Sequence, residues 1–483
     1  MDINLTDDFV NYIITEIEGE ENQKRKRDCY KSYQIREGLL YYYVKNRLAE
    51  LFPKTYEQYT TSDYSISKKI IDKKAKAYKD APIRKLNGPE KDTEEYQRTL
   101  NDSGFNTQMK EYDMIFNEHK YGAMAVFPKD EIVEGLNKNL NFKFIPLAPF
   151  EYDVIKDKDG KSILFVLSYP STDITKSISD GFNQTISESG NADEGTERVY
   201  SFWTEREHKI YAVTGKGKDL RIERRVLEGN ELGVNPYGVL PIVDLPKKYD
   251  RNYPLPSPLA RQCVELNALM SIYLQSGSMQ VGQLVLKYPS DQALEVVHQG
   301  LFTGMKLPQS KNPDDAETSA EYISPSPDLA GHKDSILTYA SMILDEQGIN
   351  SNQVINPNER FTSGLDRLLN SADVQSIIEE NQNKYLDIEN DIFLIVKKIS
   401  EVLGGYRYSS DKVTVRYLKP KMLITDSENL DNLKKKKELG IFEDWELLQD
   451  YNPNLSEQEA RDKMNMLRAN RLVAMGVGTN GNN

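Results

Sequence analysis

The chain has 483 residues, 38% of them hydrophobic and 28% charged, which exceeds one ordinary core and predicts two or three structural regions. A formal net charge of −13 argues against tight, general binding to a phosphate backbone, while remaining compatible with letting DNA slide past. The sequence lacks a run approaching the roughly 18 apolar residues of a membrane span, a secretory start, and any cysteine framework beyond the distant Cys29 and Cys263, so synthesis in a reducing cytosol is expected.

The first part reads as helical and polar. Lys24, Arg25, Lys26 and Arg27 form a short basic cluster, read mainly as a solvated helix face beside a packing face, with a nucleic-acid contact as the lesser reading. Tyr41, Tyr42 and Tyr43 follow. Ile66, Ile70, Ile71, Ala75 and Tyr78 recur at helical spacing and predict a helix over 64–78, stopped by Pro82.

From about residue 123 the period becomes that of strands: Ala123-Met-Ala-Val-Phe127, Phe142-Lys-Phe-Ile145, Ile163-Leu-Phe-Val-Leu167 and Val199-Tyr-Ser-Phe-Trp203. Lys156-Asp-Lys-Asp-Gly160 faintly resembles a calcium loop, but it lacks the spaced acidic ligands and closing glutamate, and a hairpin turn suits its Asp-Gly better. Residues 171–198, rich in Ser, Thr, Asp, Asn and Gly, predict a long exposed or partly disordered loop. Strands resume at Ile210-Tyr-Ala-Val213 and 221–226, and this half closes on Asn235-Pro-Tyr-Gly-Val-Leu-Pro-Ile-Val243.

Pro254, Pro256 and Pro258 break the chain, with Ser257 placed to cap a low-charge helix carrying Leu259, Val264, Leu266, Leu269, Met270, Ile272, Tyr273 and Leu274. Its apolar residues lie on more than one face, which predicts burial among neighbours. A short mixed segment at 280–326 contains the strand-like Leu284-Val-Leu286, and a second helix over about 328–347 carries Leu329, Ile336, Leu337, Ala340, Met342, Ile343 and Leu344. Each of the two helices is on the order of 30 Å long, and together they bracket the small segment. Residues 350–362 are polar and break the periodicity. A helix of about 60 Å then runs from Ser363 to Val402 and ends at Gly404-Gly405. A strand at 413–417, a charged helix at 426–437, helix stop and start signals at 439–442 and 454–457, and a disordered end at 476–483 complete the chain.

Recognisable catalytic patterns are missing: there is no GxxxxGK[ST] loop, no His-Glu-x-x-His and no Cys-x-x-Cys. His119, His208, His298 and His332 are scattered singly and read as surface or packing residues rather than ligands. No cofactor, metal or catalytic residue is expected, and the chain is read as a non-enzyme.

The order of elements resembles the portal proteins of tailed bacteriophages, of the SPP1 type. The resemblance rests on the early helix leading into Asp80-Ala-Pro-Ile83, the aromatic strand Val199-Tyr-Ser-Phe-Trp-Thr204 and, most specifically, Asn235-Pro-Tyr-Gly-Val-Leu-Pro-Ile-Val243. Leu266-Asn267 in the apolar helix, Ser363-Gly-Leu365, the charged run from Leu433 to Gly440, and Asn454-Leu-Ser-Glu-Gln-Glu459 add to it. It implies an α+β portal fold: an α/β wing from 1–252 and 363–425, two stem helices at 253–279 and 327–349, a small α/β clip at 280–326, a tunnel loop at 350–362, a long tunnel-side helix, a helical crown at 426–470 and a disordered tail at 471–483. The loop at 171–198 departs from the family.

The resemblance further implies a ring of about twelve subunits at one capsid vertex, closed head to tail. Such a ring conducts double-stranded DNA during packaging and ejection. Its expected partners are the terminase large subunit, head–tail adaptor or connector proteins, the major capsid protein and scaffold, with no membrane. The expected location is the virion, and the host cytoplasm during assembly. Gln353, Asn356, Asn358, Glu359 and Arg360 would face the DNA, and Leu266, Leu269, Ile336 and Ile343 would hold the stem helices together. Asp366, Asp373, Glu379, Glu380, Asp387, Glu389 and Asp391 give the long helix an acidic character, suited either to repelling phosphates or to a solvated outer face. The competing readings are another structural virion protein, in the capsid or tail, and a DNA-processing packaging enzyme.

Overall fold

A computed structural model of the chain describes residues 3–129, 140–170, 198–215, 219–226, 230–245, 257–279, 283–287, 295–299, 302–306, 319–323, 328–349, 364–418, 433–438, 443–452 and 455–474. Helix and antiparallel sheet are mixed along the chain, in the α+β class. The helices are α1 (Asp7–Ile17), α2 (Glu20–Gln34), α3 (Leu40–Leu51), α4 (Ile66–Lys74), α5 (Glu90–Asp102), α6 (Phe105–His119), α7 (Leu259–Met279), α8 (Leu329–Glu346), α9 (Gly364–Val402), α10 (Asp444–Tyr451) and α11 (Glu457–Ala474). Two units form: one joins Met1–Tyr33, Ser67–Leu259 and Asp345–Asn483, and the other joins Gln34–Ile66 to Ala260–Leu344. Residues 34–66, expected in the N-terminal wing, thus group with the two low-charge helices.

In the first unit a five-stranded antiparallel meander is built from β4 (Tyr152–Lys156), β5 (Ser162–Pro170), β6 (Arg198–Trp203), β7 (His208–Thr214) and β8 (Arg221–Arg225). Strand alternation sends neighbouring residues of β5 to opposite faces. Leu164 and Val166 meet Val10, Ile13, Ile14 and Ile17 of α1, whereas Phe165 and Leu167 join the core shared with Ala123, Ala125, Leu147 and Ile242. Those last residues belong to a three-stranded sheet in which β2 (Gly122–Pro128) lies between β3 (Phe142–Leu147) and β9 (Ile242–Leu245). α1 starts where its sequence directs: the Thr6 hydroxyl accepts the Phe9 N–H at 3.3 Å, and Asp7 and Asp8 occupy the first turn.

The β4–β5 connection is a hairpin turn. Asp157 Oδ1 accepts the backbone N–H groups of Asp159 and Lys161 at 3.0 and 2.8 Å, and Gly160 takes φ 82°. Asn235 organises a second turn: its amide donates to the Thr204 and Val239 carbonyls, both at 2.8 Å, while its Oδ1 accepts the Tyr237 N–H at 3.0 Å. The turn lays the Tyr237 ring parallel to Trp203, and His208 stacks on the same indole at 3.6 Å. Burial pushes His208 down to about 4, so it packs as a neutral ring. His119 is also buried and His332 is exposed.

Two readings are corrected. The helix predicted to run to Tyr78 ends at Lys74, eight residues before Pro82. The Ala77 N–H donates to Asp113 Oδ2 at 2.9 Å, and Tyr78 enters the core against Tyr385 and Tyr417, so tertiary contacts end the helix first. The basic cluster is not wholly solvated. Lys24 and Arg27 are exposed, but Arg25 and Lys26 turn inward and share Asp153 at 2.8 and 2.5 Å.

The polar centre of this unit lies between α6 and α9. Asp113 accepts from Tyr385 Oη at 2.6 Å, from Asn117 Nδ2 at 2.8 Å and from the Ala77 N–H. Burial outweighs these three donors and pushes the carboxyl up to about 7. The folded chain therefore holds this proton more tightly than the unfolded chain does. Its contribution to stability is full below the ordinary carboxylate range and is lost as pH rises through about 7. Wild-type stability is expected to fall across that window relative to Asp113→Asn, by on the order of 4 kcal/mol when fully expressed. Urea midpoints of both proteins from about pH 4 to pH 8 measure the difference. Parallel profiles would contradict this account.

The C-terminal part returns to the same unit through β14 (Val413–Arg416), which pairs antiparallel with β1 (Ile83–Leu86). α9 spans 39 residues and ends at Gly404, whose φ of 74° suits the left-handed cap. Ser456 and Glu459 form a reciprocal capping box that starts α11, in agreement with the start signal at 454–457. Of the charged helix expected at 426–437, residues 433–438 are helical and the remainder lies outside the described residues.

Candidate functional site

The second unit carries the features that distinguish this chain. α7 has no charged residue from Leu266 to its end at Met279, and α8 has none from Ser335 to Leu344. Each starts where its sequence signals. Ser257 Oγ accepts the Leu259 N–H at 3.4 Å, and Asp328 Oδ1 accepts the Gly331 N–H at 2.8 Å. Between them lie two antiparallel strand pairs, β10 (Gln283–Lys287) with β13 (Ser319–Ile323) and β11 (Glu295–Gln299) with β12 (Phe302–Lys306).

α7 is docked onto the 34–66 segment by polar side chains on one stripe. Asn267 is fully buried and clamps one residue of backbone. Its Oδ1 accepts the Tyr64 N–H at 2.8 Å, while its Nδ2 donates to the Tyr64 carbonyl at 3.0 Å. The Ser62 hydroxyl donates to the same Oδ1 at 2.8 Å, and the Ser62 N–H donates to Ser271 Oγ at 2.8 Å. Nearer the helix start, Arg47 of α3 pairs with Glu265 at 3.0 Å. These contacts answer the helix's own polar groups on the side where Val264 and Leu266 are buried, and they leave Leu269 and Leu274 exposed.

The four residues read as stem contacts do not share one environment. Leu266 and Ile343 are buried within the chain, each 1% exposed, Ile336 is half-buried, and Leu269 is 42% exposed. Leu274 at 47% and Met342 at 63% are exposed as well, and neither was singled out as a contact from the sequence. Leu269, Ile272, Tyr273 and Ser276 follow helical spacing, and all four retain accessible surface. α3 adds exposed Tyr41 and Tyr42 to the same unit. An uncharged helix surface with large apolar side chains in water marks an interaction face.

Gln353, Asn356, Asn358, Glu359 and Arg360 lie outside the described residues. Among the acidic groups of α9, Glu379, Glu380 and Asp387 are exposed, whereas the side chains of Asp366 and Asp373 are outside the described set. Glu389 belongs to neither reading given for these groups, because it is fully buried and paired with Arg84 at 2.6 Å. Among the described residues no three His, Cys, Asp or Glu gather to hold a metal ion, and no helix is long and apolar enough to cross a membrane.

The docking through Asn267 and Ser271 was missed as a site. Its signal was present in the four-residue spacing of Cys263, Asn267 and Ser271, small or polar positions on one side of an otherwise apolar helix. Neither a protein-family model nor a curated protein matches the chain.

Proposed function

We propose that the chain is the portal subunit of a tailed bacteriophage, a non-enzymatic protein that closes head to tail into a ring of about twelve copies and conducts double-stranded DNA. One observation carries the reading. Two helices with long uncharged stretches bracket a small β segment and expose Leu269, Leu274 and Met342. Apolar groups on long uncharged helices are covered when a second copy packs against them, and repetition of that contact closes a ring. The portal resemblance assigns these helices to the stem, the β segment to the clip and the first unit's sheets to the wing. Exposed Glu379, Glu380 and Asp387 on α9 support a conduit that repels phosphate rather than gripping it.

In this reading the partners are other copies of the chain, the terminase large subunit, head–tail connector proteins, the capsid protein with its scaffold, and DNA in transit. The location is the portal vertex of the virion. Electron microscopy of the purified full chain, with native mass spectrometry, is expected to show rings with a central channel. ATPase and nuclease assays on the same material are expected to be blank. Monomers that cleave DNA, with the activity lost on mutation of one residue of this chain, would replace this reading with a packaging enzyme.

A further inference from the structure

The exposed uncharged face of α7 has a counterpart of matching character on α3, in the same unit. A π-turn at Ile35–Leu39, with Gly38 at φ 103°, kinks the chain between α2 and α3. In α3 the residues Leu40, Val44 and Leu48 fall on the inner side and are buried. Tyr42 lies across the helix from them and is 63% exposed, with Tyr41 at 42% beside it. The two rings meet edge to face with centres 5.7 Å apart, which orders them before any partner arrives. A Cβ built on Gly38 would meet nothing within 4 Å, so the approach to this end of α3 is open.

The absence of charge restricts what can cover either face. The run from Gly38 to Val44 carries no charged residue, like the run from Leu266 to Met279. A charge buried against either run would lose its water without gaining a partner, so the cover must itself be neutral and apolar. Exposed apolar side chains of the first unit mostly adjoin charges instead, as Leu386 adjoins Asp387, Tyr451 adjoins Asp450 and Leu467 adjoins Arg468. Tyrosine suits the task as well. Its ring supplies apolar area at small entropic cost, and its hydroxyl can bond water or the Ser276 hydroxyl at the rim of the α7 face.

We propose that α3 of one copy packs onto α7 of the next, with Tyr41 and Tyr42 seated against Leu269 and Ile272. This contact rests on the ring reading above and names its two halves. A head-to-tail ring needs two different faces on each subunit, each meeting the other kind on a neighbour. One unit carries both, so each copy offers α7 to one neighbour and α3 to the other.

The test uses that asymmetry. Tyr42→Asp places a carboxylate in the first turn of α3, where the helix dipole favours it, so the variant folds and keeps wild-type circular dichroism. It is expected to lose rings by native mass spectrometry, as Leu269→Asp is, whereas Tyr42→Phe keeps them. An equimolar mixture of Tyr42→Asp with isotope-labelled Leu269→Asp is expected to recover a complex of two copies, one of each kind. There the intact α7 of the first pairs with the intact α3 of the second, and the two damaged faces stop further growth. Rings from Tyr42→Asp, or a mixture that stays monomeric, would overturn this contact, while rings from the wild type leave the portal reading standing. A wild-type chain that forms no rings overturns the ring itself and this contact with it.

Discussion

Replacing Arg84 with methionine is expected to destabilise the folded chain by about 3–5 kcal/mol, the range for stranding one member of a buried ion pair. Arg84 lies on β1 and Glu389 on α9, and both are buried. The guanidinium meets the carboxylate through two nitrogens, Nε to Oε2 at 2.6 Å and Nη2 to Oε1 at 2.7 Å. Its third nitrogen donates to Asn106 Oδ1 at 2.9 Å, and the cation sits 5.0 Å from the Phe105 ring centre. Tyr78 donates to Glu389 Oε1 at 3.1 Å, a single neutral donor left to hold the charge once Arg84 is gone.

The second half of this prediction separates breaking the pair from removing it. Arg84→Met with Glu389→Met removes both charges, and two apolar side chains of similar length fill the space, so most of the lost stability is expected to return. Urea unfolding of the wild type, both single variants and the double variant gives the coupling directly. Single variants as stable as wild type would show that the pair is not holding β1 to the long helix.

The contrast between Glu389 and its neighbours also marks where sequence reasoning stops. Glu379, Glu380, Asp387 and Glu389 look alike as letters on one acidic helix. Helical phase places Glu389 on the same face as Tyr385, Ile392, Phe393 and Val396, but the cation that permits its burial, Arg84, lies some three hundred residues earlier. Arg25 and Lys26 repeat the lesson, since their partner Asp153 comes from a strand of the five-stranded sheet. Local signals read well. The Asp-Gly hairpin, the Ser257 cap, the two low-charge helices, the end of α9 at Gly404 and the capped start of α11 were all legible because each depends on residues a few positions apart. The early stop of α4 was not, because Asp113 on another helix takes the Ala77 N–H. Of the proposed contact residues, spacing found the two helices that carry them but could not divide buried Leu266 from exposed Leu269. Which side of α7 the chain itself covers is decided by Tyr64 and Ser62, two hundred residues away.

That division gives the most discriminating test of ring formation. Leu266→Asp and Leu269→Asp introduce the same carboxylate three residues apart, and from sequence each puts a charge into a subunit interface or core, so that ring formation fails while the wing stays folded. The structure separates them. Leu266 is 1% exposed, so an aspartate there places an unpaired charge in a core and discards a buried leucine, roughly 3–5 kcal/mol before any partner arrives. That variant is expected to lose the fold of the second unit, seen as reduced helicity and ready proteolysis. Leu269 is 42% exposed, so an aspartate there keeps its hydration and alters the isolated subunit by about 0.5 kcal/mol or less. In a ring the same aspartate is desolvated once per subunit, and the penalty recurs at every interface around the circle. Leu269→Asp is therefore expected to give folded monomers, with wild-type circular dichroism and no rings by native mass spectrometry. Unaltered rings from Leu269→Asp would remove α7 from the subunit interface, since a charge tolerated at its most central exposed leucine leaves no apolar contact there for a neighbour to make.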